Sequence, residues 1–307
     1  MWLVGIHLAH AMTLDRMIQY TRVYFTSPDF PAQLDGYQVA FITDTHAISD
    51  DQLRQVVRRL NDMAIDALLL GGDFERRQGS YRRHIGILSE VLTYDGIWAV
   101  EGNHDHGRIT RQTMADYGVG LLNNQGVHLQ EGLYLAGAED HWHGRPSFEA
   151  ALAEMNPSDF VLFLSHNPDA SMTNDLTDIH LMLSGHTHGG QINFLGIYAP
   201  YLTLSNHPDF PSRAVTRYGQ RFKSGFAYGQ DEETPVFVSR GTGQEYMRVF
   251  SRPEVVILTL NHGAPQQRVA MDVATAVFWA VILGNLVLYH LYWFWKRRNN
   301  RKGPLKD

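Results

Sequence analysis

Tyr37-Gln38-Val39-Ala40-Phe41-Ile42-Thr43 runs straight into Asp44-Thr45-His46, and that junction sets the reading of the whole chain. The run reads as a strand, yet it ends on a carboxylate and an imidazole rather than on an ordinary turn. The same habit recurs further along. Ala67-Leu68-Leu69-Leu70 leads into Gly71-Gly72-Asp73, and Gly96-Ile97-Trp98-Ala99-Val100 leads into Glu101-Gly102-Asn103-His104-Asp105. In the second half, Phe160-Val161-Leu162-Phe163-Leu164 meets Ser165-His166-Asn167-Pro168, and Ile179-His180-Leu181-Met182-Leu183 meets Ser184-Gly185-His186-Thr187-His188-Gly189-Gly190. Between the first two strands, Gln52 to Met63 places Leu53, Val56, Val57 and Leu60 at helical spacing, with Arg54, Arg58 and Arg59 outward. Val236-Phe237-Val238 and Val255 to Leu260 read as closing strands. The alternation predicts a layered α/β sandwich, and ligands of open α/β sheets sit outside strand ends.

The bulk properties narrow the classes of function. With 307 residues, of which 44% are hydrophobic, the chain is long enough for one large domain with a sizeable core. A formal net charge of −6 argues against an electrostatic nucleic-acid binder, so no nucleic-acid partner is expected. The absence of cysteine excludes disulfides, thiolate zinc sites and cysteine nucleophiles, and any metal must be held by His, Asp, Asn or Glu. There is no internal repeat and no low-complexity tract, and nothing in the sequence speaks to oligomeric state.

Each strand-end fragment is a weak signal alone, since an Asp-x-His or a Gly-Gly-Asp is common in turns. Their joint order carries the weight. Carboxylate oxygens, an amide oxygen and imidazoles suit hard or borderline divalent cations, and a carboxylate can bridge two of them. Two such ions roughly 3.5–4 Å apart clamp a phosphoryl group and acidify a bound water. Glycines flanking the His186–His188 pair let the backbone come close to metal and phosphate.

Taken in this order, the motifs resemble the signature of the calcineurin-like metallophosphoesterase superfamily: Asp-x-His, Gly-Asp, Gly-Asn-His-Asp, a lone His, then Gly-His-x-His, here spanning Asp44 to His188. The resemblance implies a four-layer αββα sandwich and a metal-dependent phosphoesterase or pyrophosphohydrolase. It further implies that Asp44, His46 and His188 hold a first metal, that Asn103, His166 and His186 hold a second, and that Asp73 bridges. Manganese is the first expectation, with iron, zinc, cobalt or magnesium as alternatives. His104 would be the general acid or the phosphate-polarising residue, and Asp105 would fix its tautomer and orientation. All seven ligand positions carry competent residues, which disfavours a non-catalytic binding module. His106, His141 and His143 are weaker: His141-Trp142-His143 lines a substrate groove or forms a surface turn.

Ser165-His166-Asn167-Pro168-Asp169, Gly189-Gly190-Gln191-Ile192, Ser239-Arg240-Gly241-Thr242-Gly243 and Arg252-Pro253-Glu254-Val255 are similar to the bacterial membrane-associated branch of that superfamily. That branch includes phosphodiesterases and a UDP-2,3-diacylglucosamine pyrophosphatase of lipid A synthesis, and the similarity covers roughly residues 35 to 260. Hence the expected substrate is a phosphodiester or diphosphate, amphiphilic and lipid-linked, with soluble nucleotides as the alternative. The chain departs from the branch at Gly72-Asp73-Phe74-Glu75, where many relatives place an aliphatic residue and Asp after the bridging Asp. It departs again at its C-terminal hydrophobic helix.

The expected organisation is an N-terminal segment over 1–34, a catalytic domain over 35–262 with 193–234 as loop or cap, a membrane-associated helix over 272–295, and a basic tail over 296–307. Residues 1–12 lack a positive n-region and carry two histidines, so they read poorly as a signal peptide. Val273 to Trp295, about 23 residues, is long enough to cross the hydrocarbon core. Trp279, Tyr289, Tyr292, Trp293 and Trp295 supply interfacial aromatics, and Lys296, Arg297, Arg298, Arg301 and Lys302 follow. A true span with a cytoplasmic basic tail would put the catalytic domain outside, without an export signal. A helix lying in the interface removes that conflict, placing tail and domain together on the cytoplasmic face of a bacterial inner membrane.

Overall fold

The structure is a computed structural model describing residues 2–74, 80–105, 108–204, 215–243 and 247–300. Glu75, His106 and the basic tail beyond Asn300 lie outside the described residues.

One sheet is built from β1 (Gln19–Ser27), β2 (Tyr37–Ile42), β3 (Ala67–Leu70), β4 (Ile97–Ala99), β5 (Gly120–Leu121), β12 (Glu254–His262) and β13 (Gln266–Val269). The second contains β6 (Gln125–Gln130), β7 (Leu133–Gly137), β8 (Phe160–Leu164), β9 (Leu181–Ser184), β10 (Gly225–Tyr228) and β11 (Pro235–Val238). Their orders are β13-β1-β12-β2-β3-β4-β5 and β10-β11-β9-β8-β7-β6. The helices are α1 (Trp2–Met12), α2 (Asp50–Asn61), α3 (Ser80–Leu88), α4 (Arg108–Asp116), α5 (Phe148–Leu152), α6 (Pro200–Leu204) and α7 (Val273–Asn300).

Successive side chains on a strand point to opposite faces, and that period sorts the core into three slabs. Val39 and Phe41 of β2 meet Leu162 and Leu164 of β8 in the slab between the sheets. Ala40 and Ile42 face the other way, onto Leu53, Val56, Val57 and Leu60 of α2. Val161 and Phe163 of β8 turn outward to Phe148 of α5. The result is the expected αββα order. Strands covered on both faces read as continuous apolar runs, which is why β3 and β8 lack polar alternation.

The predicted helix at Gln52–Met63 begins two residues earlier, at Asp50, because Ser49 and Gln52 form a capping box. Ser49 Oγ accepts from the Gln52 main-chain N–H at 3.2 Å, and Gln52 Oε1 accepts from Ser49 N–H at 3.4 Å.

The layered body also starts earlier than residue 35. Gln19–Ser27 lies within the larger sheet, parallel to β12 and antiparallel to β13. Its buried positions are Gln19, Thr21 and Ser27 beside Val23 and Phe25, so three of the five are polar and a search for apolar runs passes over it. The stretch expected as a loop or cap, 193–234, likewise contains α6, a 3-10 turn at Gly219–Phe222 and edge strand β10; its residues 205–214 lie outside the described set.

α7 extends the predicted helix to Asn300, and Val273–Arg297 is long and apolar enough to cross a membrane, with none of its apolar window buried. Unlike the core helix of a soluble domain, it is not packed into the body of the protein.

Candidate metal centre

β2, β3 and β4 are parallel neighbours, so their C-terminal ends bring Asp44, Asp73 and Asn103 to one edge of their sheet. β8 and β9 are parallel in the facing sheet and bring His166, His186 and His188 to the same end. The sandwich thus closes six strand-end groups and His46 around one point.

Two clusters result. In the first, His188 Nε2 lies 3.3 Å from Asp44 Oδ1 and 3.2 Å from His46 Nε2, and His46 Nε2 is 3.8 Å from Asp44 Oδ1. In the second, His166 Nε2 is 3.2 Å from each of Asp73 Oδ2, Asn103 Oδ1 and His186 Nδ1. Asp73 Oδ2 also lies 3.6 Å from His46 Nε2, so one carboxylate faces both clusters. Ligand atoms about 2.1 Å from a common ion are roughly 3 to 3.5 Å apart; the pairs of His188 and His166 match that spacing, and those of His46 with the two carboxylates are slightly wider. Asp44 Oδ1 is buried without a hydrogen-bond partner, an acceptor that a cation would satisfy.

The imidazoles are already set for this. His166 Nδ1 lies 2.8 Å from the Gly71 carbonyl and His186 Nε2 lies 2.8 Å from the Val215 carbonyl. Each carbonyl takes an N–H, which leaves the opposite ring nitrogen as the lone pair turned inward. The backbone is held in an uncommon state to achieve this: Asp44, His46, Asp73, His186 and His188 all have positive φ, at 52°, 34°, 59°, 70° and 50°. Left-handed backbone at non-glycine residues costs energy and clusters where a site over-determines it.

Burial dominates the electrostatics. It pushes His188 down to about 3, and together with the nearby His166 it pushes His186 down to about 4, so both rings are neutral donors at pH 7. Burial would raise Asp44 and Asp73, but adjacent imidazoles outweigh it and both stay below the usual carboxylate range. For His166, burial is overcome by the Asp73 charge and hydrogen bond, and its affinity for a proton rises. A cation entering there displaces that proton.

Around the ligands stand groups with supporting roles. The exposed His104 reaches the centre through its main-chain N–H, which donates to Asp73 Oδ1 at 2.8 Å, and its ring centroid is 5.3 Å from that of His46. Asp105 is buried, and its carboxylate accepts from the Phe74 N–H at 2.9 Å and the Gly102 N–H at 3.4 Å. It thereby fastens the Asp73 turn to the Asn103 turn, a role that was not among those expected of it. Trp142 stands edge-on to His186 with centroids 4.4 Å apart, while Asp140 accepts from the Trp142 and His143 N–H groups. That tight turn puts Trp142 against His186.

Arg248 was not among the expected site residues. Its buried guanidinium donates to the carbonyls of Arg240 at 2.7 Å, Gly243 at 2.7 Å and Ser251 at 3.1 Å, and Ser251 Oγ donates to the His188 carbonyl at 2.7 Å. Glu254 completes this scaffold by accepting the Arg240 N–H at 2.8 Å. The Ser239–Gly243 and Arg252–Val255 motifs, quoted above only for similarity, flank these contacts. Motifs of this density around Gly243 were the available signal for Arg248.

A family model described as calcineurin-like phosphoesterase matches residues 37–190, half of the chain. The chain belongs to that family. Among calcineurin-like phosphoesterases it is 29% identical over 262 residues to metallophosphoesterase YkuE of Bacillus subtilis, covering 80% of this chain and 86% of that one. It is 29% identical over 212 residues to phosphodiesterase YaeI of Escherichia coli, covering 64% and 70%. A transmembrane protein with metallophosphoesterase domain from Danio rerio is 25% identical over 257 residues, covering 75% of this chain and 54% of its own length. The family uses divalent metal ions, and the chain is a hydrolase acting on phosphoester bonds.

Gly185 tests how tightly the centre of this phosphoesterase is built. A Cβ there would collide with Asp44 Oδ2 and Thr43 Oγ1. Gly185→Ala is expected to displace the Asp44 carboxylate, lowering metal content and turnover together and costing about 1–3 kcal/mol by overpacking. Elemental analysis beside a thermal melt checks it, and a full metal load would contradict the cradle.

Proposed function

We propose that the chain cleaves a phosphodiester or diphosphate bond in an amphiphilic, membrane-resident substrate, with UDP-2,3-diacylglucosamine as the leading candidate, at the cytoplasmic face of a bacterial inner membrane. The observation that carries this reading is where α7 begins. Asp272 binds Arg252 at 2.5 Å, and the adjacent Ser251 donates to the carbonyl of His188. An unburied apolar helix therefore leaves the domain directly beside a metal-ligand loop. The word transmembrane in the name of the Danio rerio relative supports the same setting, and Lys296 and Arg297 beyond the apolar stretch suit an anionic lipid surface.

In this reading Asp44, His46 and His188 hold one divalent ion, Asn103, His166 and His186 the other, and Asp73 serves both, with manganese as first choice. When bound, the ions polarise the phosphoryl oxygens and make a water nucleophilic at neutral pH. The chain's own contribution is to keep four imidazoles and two carboxylates oriented and dry, and to present His104 at the open side as proton donor to the leaving oxygen. Asp105 keeps the Asp73 and Asn103 turns together while this happens.

A second reading, hydrolysis of soluble nucleotides, is favoured by the exposed ring of Trp142 beside His186, a surface on which a base can stack. The deciding experiment assays the purified full chain with added Mn²⁺ against vesicle-borne UDP-diacylglucosamine, phospholipids and cyclic nucleotides. Preferential turnover of a lipid-borne substrate is expected. Exclusive action on a soluble nucleotide would overturn the membrane reading.

A further inference from the structure

We infer that α1 and the loop Ile192–Tyr201 enter the same lipid surface as α7, so that the metal centre opens against the membrane; the inference rests on the membrane setting proposed above.

α1 is unlike a surface helix of a water-soluble domain. From Trp2 to Met12 it carries no Asp, Glu, Lys or Arg, and its buried residues are Ile6 and His10, leaving Trp2, Leu3 and Leu8 exposed. A helix bathed in water places charge on its outer face. The loop shows the same anomaly. Ile192 to Leu202 contains no charged residue, yet Phe194, Ile197 and Tyr201 are exposed, Ile197 to 75%. Scattered apolar side chains need no explanation, whereas a contiguous set marks an interaction surface.

The contacts make the set contiguous. α1 runs antiparallel to α7, with Trp2 packed edge-on to Tyr289 at 5.5 Å and His10 against Phe278 at 5.1 Å. On its other side, His7 Nε2 accepts the Leu195 N–H at 3.2 Å, and the His7 ring lies 5.3 Å from Phe194. Gly190, two residues after His188, has φ +75° and no room for a Cβ because Ala199 of the loop folds back onto it. The path therefore runs without a gap from α7 through α1 and the loop to the ligand His188.

A lipid surface is the occupant this face fits. It is continuous with a helix already long enough to span a bilayer, and α1 and the loop contribute no charged side chain of their own. Lys223, whose ammonium donates to the Gly196 and Ile197 carbonyls, adds a cation that suits an anionic headgroup, and Trp and Tyr are the aromatics that favour the membrane interface. Hydrogen bonds through Asp15 also tie the anchor to the segment that holds the His188 carbonyl. His10 Nδ1 binds Asp15 Oδ2 at 2.8 Å, and Asp15 accepts the N–H groups of Phe250 at 2.9 Å and Ser251 at 3.1 Å.

The native chain has no cysteine, so a single introduced thiol reports one position. The full-length chain carrying Ile197→Cys is labelled with an environment-sensitive fluorophore and bound to vesicles of phosphatidylethanolamine and phosphatidylglycerol. Tyr94→Cys, at the exposed turn before β4 on the opposite end of the strands, is the control. The expected result is a several-fold emission increase with a blue shift at position 197, quenched by nitroxide-bearing lipid, and no change at position 94. If the chain floats with the vesicles while the 197 label stays as wet and unquenched as the 94 label, α7 anchors alone and the inference fails with the membrane setting intact. If the 197 label is shielded before lipid is added, the face belongs to a second copy or another protein, and the inference fails too. A chain that does not float removes the membrane setting and this inference together.

Discussion

Asp73→Asn is expected to abolish turnover and metal occupancy in one step. Asp73 is buried, its Oδ2 faces His166 Nε2 at 3.2 Å and His46 Nε2 at 3.6 Å, and its Oδ1 accepts the His104 main-chain N–H at 2.8 Å. An asparagine preserves the shape and can preserve the Oδ1 bond, so the fold is kept. What it removes is the one negative charge that faces both clusters. Loss of an outer partner of a ligand typically costs 10- to 100-fold in metal affinity or activity, so loss of the shared ligand is expected to cost at least about 100-fold in each. Elemental analysis and a turnover assay on the same preparation check this, with circular dichroism as the control for folding. Full metal content with full activity in the variant would remove Asp73 from the centre and with it the two-ion assignment.

The strands that end in ligands were legible because burial on both faces makes β2, β3, β8 and β9 nearly pure apolar runs, and because each run stops at an ionisable group. β1 was not, since Gln19, Thr21 and Ser27 share its buried positions with Val23 and Phe25. Those polar residues are tolerated at depth because they have partners: Thr21 Oγ1 donates to Glu254, and Arg240 Nη2 donates to Gln19 Oε1 at 3.1 Å. Such pairings join residues more than two hundred positions apart, and no local periodicity announces them.

The same distinction divides the site. Asp44, His46, Asp73, Asn103, His166, His186 and His188 could be named because each stands at or just after a strand end and their order resembles the family signature; the structure gathers them at one end of the sandwich. The residues that hold those donors in place have no such address. Arg248 and Asp15 act on the His188 loop through carbonyl and N–H groups, and almost any sequence offers those. Asp140 and Trp142 come to His186 only because the turn after β7 folds over the sandwich edge. α7 was legible from length and composition alone, but its pairing with α1 depends on ring contacts such as Trp2 with Tyr289 that pattern reading does not supply.

His104→Ala is expected to separate chemistry from metal binding. The ring of His104 is exposed and donates nothing to the ligand clusters; the contact that matters to them is its main-chain N–H to Asp73, which alanine retains. Metal content and melting temperature should therefore match the parent, while kcat falls about 10²- to 10⁴-fold, the range for removing a general acid. The size of the fall should depend on the leaving group. A nitrophenolate departs readily without a proton, so its ester should lose little, whereas an ester of an aliphatic alcohol needs the donor and should lose most. An equal loss for both would mean that His104 polarises the phosphate rather than protonating the leaving oxygen. No loss in either would leave the centre without this acid, and proton donation would then have to come from solvent at the same open side.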